Sequence, residues 1–181
     1  MSMELDWTIA TEDIPKSGLA RTLVADTSER ESVARALDII ACEELEAALH
    51  FRPLADRSYS VSGRIRARVV QSCVVTLEPV PGNVTATVAI EFRSADDMPE
   101  MPEGEFDPHS ADEPEPIVDG IMDVGGVVYQ LLATSLDPYP RKPGAAFDWR
   151  DLKDAAPDAG GVNSANPSNP FAALAKLKPK S

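Results

Sequence analysis

The reading of the fold turns on the stretch Val69-Val70-Gln71-Ser72-Cys73-Val74-Val75-Thr76-Leu77-Glu78-Pro79. Before it, Val61, Gly63, Ile65, Ala67 and Val69 alternate with Ser62, Arg64, Arg66, Arg68 and Val70. A period of two marks a strand with one small or apolar face and one basic face. From Val69 to Leu77 both faces are largely apolar, as in a strand covered on both sides and central to its sheet. The whole run exceeds the ~3–10 residues usual for a strand, so a bend or bulge is expected at Gln71-Ser72. Glu78-Pro79 ends the run, because Pro79 has no N–H, and Pro81-Gly82-Asn83 supplies turn chemistry. Val84, Ala86, Val88, Ile90 and Phe92 then alternate again, which predicts an antiparallel hairpin.

Working outward, Trp7 to Ile14 reads as a weak strand closed by Pro15-Lys16-Ser17-Gly18, and Leu19 to Ala25 as a second. Ser28 and Glu31 have capping-box spacing. The helix they would open carries Val33, Ala36, Leu37 and Ile40 on one face. Leu45, Ala47, Leu49 and Phe51 alternate with Glu46, Ala48, His50 and Arg52, a strand pattern with which a helix from Cys42 to Leu49 competes. Asp123 can cap a helix through Leu136, with Val124, Val127, Val128, Leu131, Leu132 and Leu136 on its apolar face. Asp137-Pro138-Tyr139-Pro140-Arg141-Lys142-Pro143-Gly144 stops that helix and continues as a stiff extended segment. The expected fold is α+β: an antiparallel sheet or partial barrel packed with two or three helices.

Two further segments differ in composition. Residues 94–116 carry nine acids, five prolines and no Lys or Arg. Such a segment buries too little apolar surface to offset chain entropy, and a mobile acidic loop is expected. Residues 151–168 read as a flexible linker. The terminal motif, 169–181, opens with Asn169 as N-cap and Pro170 at the first helical position. Phe171, Leu174 and Leu177 share a side there, followed by Lys178 and Lys180. The expected organisation is therefore one domain over residues 1–150, a linker, and a terminal motif.

At 181 residues with 43% hydrophobic content, the chain can build one sizeable core. No run approaches the ~18 apolar residues of a membrane span, and the first residues lack the pattern of a signal peptide. Cys42 and Cys73 make no disulfide framework, so both are expected reduced, in a cytoplasmic protein. The formal net charge is -13. Nucleic-acid binding draws on positive charge, whereas a strongly acidic surface attracts basic proteins.

The string Gln71-Ser72-Cys73-Val74-Val75-Thr76-Leu77-Glu78-Pro79 resembles the alphaproteobacterial branch of the YceD family, the large-ribosomal-subunit RNA accumulation proteins. Asp137-Pro138-Tyr139-Pro140-Arg141-Lys142-Pro143-Gly144 is similar to a second signature of that family. The terminal Asn169–Lys178 motif resembles a third. The resemblance implies a non-catalytic factor in large-subunit ribosomal RNA accumulation, acting through a basic ribosomal protein or a pre-ribosomal large-subunit particle. Genes of this family often neighbour one for a small zinc-ribbon ribosomal protein. The signature residues are Gln71, Cys73, Thr76, Leu77, Glu78 and Pro79, with Asp137, Pro138, Tyr139 and Pro140.

No catalytic, cofactor or metal constellation emerges. Some relatives carry a Cys-x-x-Cys in this strand; here Val70 stands three residues before Cys73, and one thiolate cannot make a structural zinc site. Cys73 is expected buried and unreactive, lying in an apolar run with no cationic activator nearby in sequence. Nucleophilic catalysis needs a base near Cys73, and the only histidines are His50 and His109, the latter in the acidic segment. There is no phosphate-binding glycine loop. Arg64, Arg66 and Arg68 fall on one strand face, within ~14 Å end to end. They either pair with glutamates of the neighbouring strand or contact ribosomal RNA, the alternative partner. Arg141, Lys142, Phe171, Leu174 and Leu177 complete the candidate contact residues.

Overall fold

The chain order is β1 (Thr8–Ala10), β2 (Leu19–Val24), α1 (Thr27–Ala36), β3 (Ala41–Pro53), β4 (Tyr59–Ser72), β5 (Pro79–Ser94), β6 (Glu115–Val118), β7 (Ile121–Asp123) and α2 (Val124–Ser135). This computed structural model describes residues 5–98 and 114–146. The strands form one seven-stranded sheet in the order β1-β7-β6-β5-β4-β3-β2. It curls into a half-barrel against the two helices. All pairings are antiparallel except β5–β6, so the sheet is mixed, and the expected α+β fold of a partial barrel with two or three helices is the one observed.

Three long strands dominate, and their period of two fixes the core. Leu45, Ala47, Leu49 and Phe51 of β3 are buried, together with Val61, Ile65, Ala67 and Val69 of β4. From β5 come Val84, Ala86, Val88 and Phe92. Cross-strand register places Phe51 opposite Val61, and Val61 opposite Ile90. Burying each large side chain contributes about 1.5–3 kcal/mol before entropy is counted. The strand reading of Leu45–Phe51 is thus the one that forms. Sheet packing outweighs the helical propensity of its Ala, Leu and Glu residues.

Helix α1 adds Val33 and Ala34 to the core, whereas Ile40, expected on its buried face, is exposed beyond the helix end. Its capping box uses Asp26 and Glu29, not Ser28 and Glu31. The Glu29 N–H donates to Asp26 Oδ1 at 2.9 Å, and the Asp26 N–H to Glu29 Oε2 at 2.8 Å. Both spacings fit the motif. The Asp26 pair has a second anchor, since Trp7 Nε1 donates to Glu29 Oε1 at 2.9 Å.

Helix α2 starts where expected: Asp123 Oδ1 accepts from the Gly126 N–H at 2.9 Å. Val124, Val127, Val128 and Leu132 are buried. Gly125 looks like a weakness by helix propensity, yet a Cβ there would collide with the Leu5 carbonyl oxygen. The Val124 and Gly125 N–H groups donate to the Trp7 carbonyl at 3.0 and 2.9 Å. Glycine lets the N-terminal segment lie directly on the first turn.

The largest departure lies in the opening stretch. Strand β4 ends at Ser72, and residues 73–77 form the turn, not a continued strand. Pro81-Gly82-Asn83, expected to turn, lies within β5 opposite Val70, Val69 and Arg68. Glycine and proline near a strand end are tolerated where the ladder does not need the missing donor. The Trp7–Ile14 strand is likewise shorter, and Thr11–Asp13 forms a 3-10 turn. At the edges of the acidic segment, Ser94 belongs to β5, Ala95–Asp97 is a 3-10 turn, and Glu115-Pro116 open β6. The expected loop interior, residues 99–113, lies outside the described residues, as do the linker 151–168 and the motif 169–181.

Candidate functional site

Two signature segments far apart in sequence meet at one end of the sheet. The first is the β4–β5 turn. Within it the Leu77 N–H donates to the Cys73 carbonyl, and the Cys73 N–H to the Glu78 carbonyl, each at 2.9 Å. The Ser72 hydroxyl donates to the Leu77 carbonyl at 3.2 Å. The second is the segment after α2. There the Tyr139 N–H donates to Asp137 Oδ1 at 2.9 Å, an Asx turn between two prolines that stiffen it.

Cross-links join the segments into a clasp. Gln71 Nε2 donates to the Asp137 carbonyl at 2.9 Å. The Val74 N–H donates to the Pro140 carbonyl at 2.9 Å, and Pro140 is buried. Lys142 Nζ lies 2.8 Å from Glu78 Oε1. This hydrogen bond and charge hold the Glu78 carboxyl below its ordinary value. The ion pair is half exposed, so it adds little stability by itself.

Cys73 sits at the centre. Its Sγ accepts from the Lys142 N–H at 3.4 Å and from the Thr76 N–H at 3.5 Å. The side chain has no accessible surface, yet it stands apart from the main core cluster. The Thr76 hydroxyl, and then the backbone N–H groups of Lys142 and Thr76, lower its thiol pKa from 9.0 to about 6. Donors to the thiolate outweigh its desolvation here. Cys73 is buried as expected; the groups that lower its pKa are hydrogen-bond donors, not the cationic activator that the sequence lacks nearby. Thr76 supplies a hydroxyl and a backbone N–H from three residues away, and Lys142 a backbone N–H from 69 residues away. Cys42 behaves in the opposite way: burial pushes its thiol up.

The clasp presents apolar side chains to water. Leu77 is 76% exposed, Tyr139 71% and Val74 47%. Leu77 also has φ 61°, in the left-handed region. For an L-residue other than Gly, Asn or Asp, that conformation costs roughly 1–2 kcal/mol. Val74, expected in a strand covered on both faces, lies exposed in the turn. Its exposure has no signature in the sequence, because an apolar run in a turn looks like one in a strand.

The remaining candidates divide. Arg64, Arg66 and Arg68 project from β4 away from the core, as their alternation predicts. Arg68 bonds Glu43 Oε2 and Glu44 Oε1, each at 2.7 Å, so the neighbouring-strand pairing holds for it. No ion pair among the described residues engages Arg64 or Arg66. Arg141 is exposed beside the clasp, and Lys142 is part of it. Phe171, Leu174 and Leu177 lie outside the described residues. Among the described residues, no group of three His, Cys, Asp or Glu side chains is placed to hold a metal ion. No helix among them is long and apolar enough to cross a membrane.

The model of the family described as large ribosomal RNA subunit accumulation protein YceD matches residues 61–178, more than half of the chain. This chain belongs to the YceD family. The match opens in β4, on the way into the clasp, and runs past Lys142, so both halves of the clasp are YceD-family sequence. Membership places the chain in ribosome biogenesis and large-subunit RNA accumulation. Neither curated proteins nor solved structures give a match.

Proposed function

We propose that this YceD-family chain is a non-catalytic ribosome-assembly factor that engages a basic ribosomal protein, or a pre-ribosomal large-subunit particle carrying it, through the clasp. The exposed, left-handed Leu77 carries the reading. Neither backbone conformation nor burial rewards a leucine at that position, where Gly or Asn would serve the fold better. Strain of this kind concentrates at functional sites. Tyr139 and Val74 on the same clasp add apolar surface of the type that anchors protein interfaces. The formal charge of -13 favours a basic partner and speeds its encounter. No group on the clasp forms a nucleophile–base pair, so the chemistry available there is recognition. The test is affinity purification of the full chain from cells, with identification of the proteins and RNA that accompany it. Large-subunit ribosomal proteins and precursor RNA are the expected companions. Recovery of neither would overturn the proposal.

A further inference from the structure

We infer that the outer face of the sheet around Arg64 and Arg66 is a binding surface for the sugar–phosphate backbone of RNA. This deepens the assembly reading by naming a second partner, but it rests on a different surface from the clasp. Side chains at alternate positions stand ~6.7 Å apart along β4. Register sets Arg64 between Ala48 and Thr87, and Arg66 between Glu46 and Thr85. The positions flanking Arg64 along the strand face are small: Thr22 and Ala48 on one side, Thr87 on the other, Ser62 before it. The guanidinium groups therefore rise from a low floor that carries hydroxyl donors. Arginine with Ser and Thr hydroxyls is the donor set that binds phosphate oxygens.

Glu43 and Glu44 share Arg68 towards one end of the strand, which leaves one negative charge there, and Glu91 pairs with Arg93. Glu46 faces Arg66 in register, without an ion pair. Arg52, on the same face of β3, adds a further positive charge in line with Ser60. The centre of the face is thus cationic on a chain of net charge -13. Charges beyond the ~8–10 Å screening length at ordinary ionic strength matter little to a ligand lying there. No Phe, Tyr or Trp stands among the outward positions of β3 and β4, so bases have no ring to stack on. Backbone contact without stacking gives weak, sequence-independent and salt-sensitive binding.

The experiment is fluorescence anisotropy of a labelled homouridine dodecamer against the full-length protein, from low to ordinary salt. Binding with Kd on the order of 1–100 µM at low salt is expected, the non-specific range. The double variant Arg64→Gln/Arg66→Gln should bind at least tenfold more weakly. Its log–log salt slope should be shallower by about 1.4, two phosphates at ~0.7 each. Arg57→Gln, at a residue paired with Asp97 elsewhere, should bind like wild type. Leu77→Asn should also leave this binding intact, so failure of the clasp reading and failure of this one are separable. Wild-type binding by the double variant would overturn the inference. Equal binding of a labelled polyglutamate peptide would also overturn it, by making the face a surface for acidic proteins.

Discussion

The backbone N–H of Lys142 donates to Sγ of Cys73 at 3.4 Å, bridging two signature segments 69 residues apart in the chain. Gln71 makes the parallel link to the Asp137 carbonyl at 2.9 Å. The clasp is therefore a joint between β4 and the exit of α2, and its parts should fail together.

Gln71→Ala removes the side-chain link. A typical hydrogen bond contributes about 0.5–1.5 kcal/mol net, and a loss of about 1 kcal/mol is expected in urea unfolding. The sharper sign is local. Cys73 has no accessible surface, so its alkylation needs the clasp to open. Native wild type should react slowly with iodoacetamide, and Gln71→Ala several times faster. Equal rates would mean that the link does not hold the clasp shut.

The Cys73 thiol pKa of about 6 has a consequence for stability against pH. A folded value below the unfolded one means that the unfolded chain binds more protons between the two. This contribution is fully present above pH 9.0, declines as pH falls across the window, and is lost through about pH 6. The urea midpoint of wild type, relative to Cys73→Ala, should therefore rise from about pH 6 to about pH 9. Parallel pH profiles for the two proteins would show that the thiolate is not stabilised by the fold.

Gly125→Ala sets two effects against each other. Alanine favours a helix by about 1 kcal/mol over glycine. The added Cβ would strike the Leu5 carbonyl, a backbone atom with little room to move. Overpacking of this kind costs about 1–3 kcal/mol, so net destabilisation is expected. A stabilised variant in thermal unfolding would show that the N-terminal segment does not rest on α2.

Leu77→Asn should have the opposite effect. Asparagine tolerates the left-handed region better, and little burial is lost at a side chain 76% exposed. Stability should stay level or rise by up to ~1 kcal/mol. A loss beyond 1 kcal/mol would make Leu77 a structural residue and remove the main reason for reading the clasp as a docking surface.

Much of the sheet was legible because alternation is a local signal. Val84 to Phe92 and Leu45 to Phe51 each show the period directly, and the Asp123 cap fixes the start of α2. The clasp was not legible. Val74, Val75 and Leu77 are apolar, and a pattern of apolar residues carries no record of which are solvated. The turn is closed by backbone groups and by residues more than 60 positions away, which leave no mark on local periodicity. The short strands β6 and β7, of four and three residues, fall below the length at which alternation can be read. Asp26 and Ser28 both fit the capping-box spacing, and the Asp26 box gains a tertiary contact from Trp7 that local spacing does not show.

The most direct test of the clasp as the docking surface is co-sedimentation with large-subunit precursor particles. Wild type and Leu77→Asn/Tyr139→Ser would be compared at matched expression, with folding checked by cooperative unfolding. The account predicts that wild type travels with the particles, while the folded double variant stays at the top of the gradient and large-subunit RNA falls in cells that carry it. A folded double variant that co-sediments like wild type, with RNA levels unchanged, would contradict it.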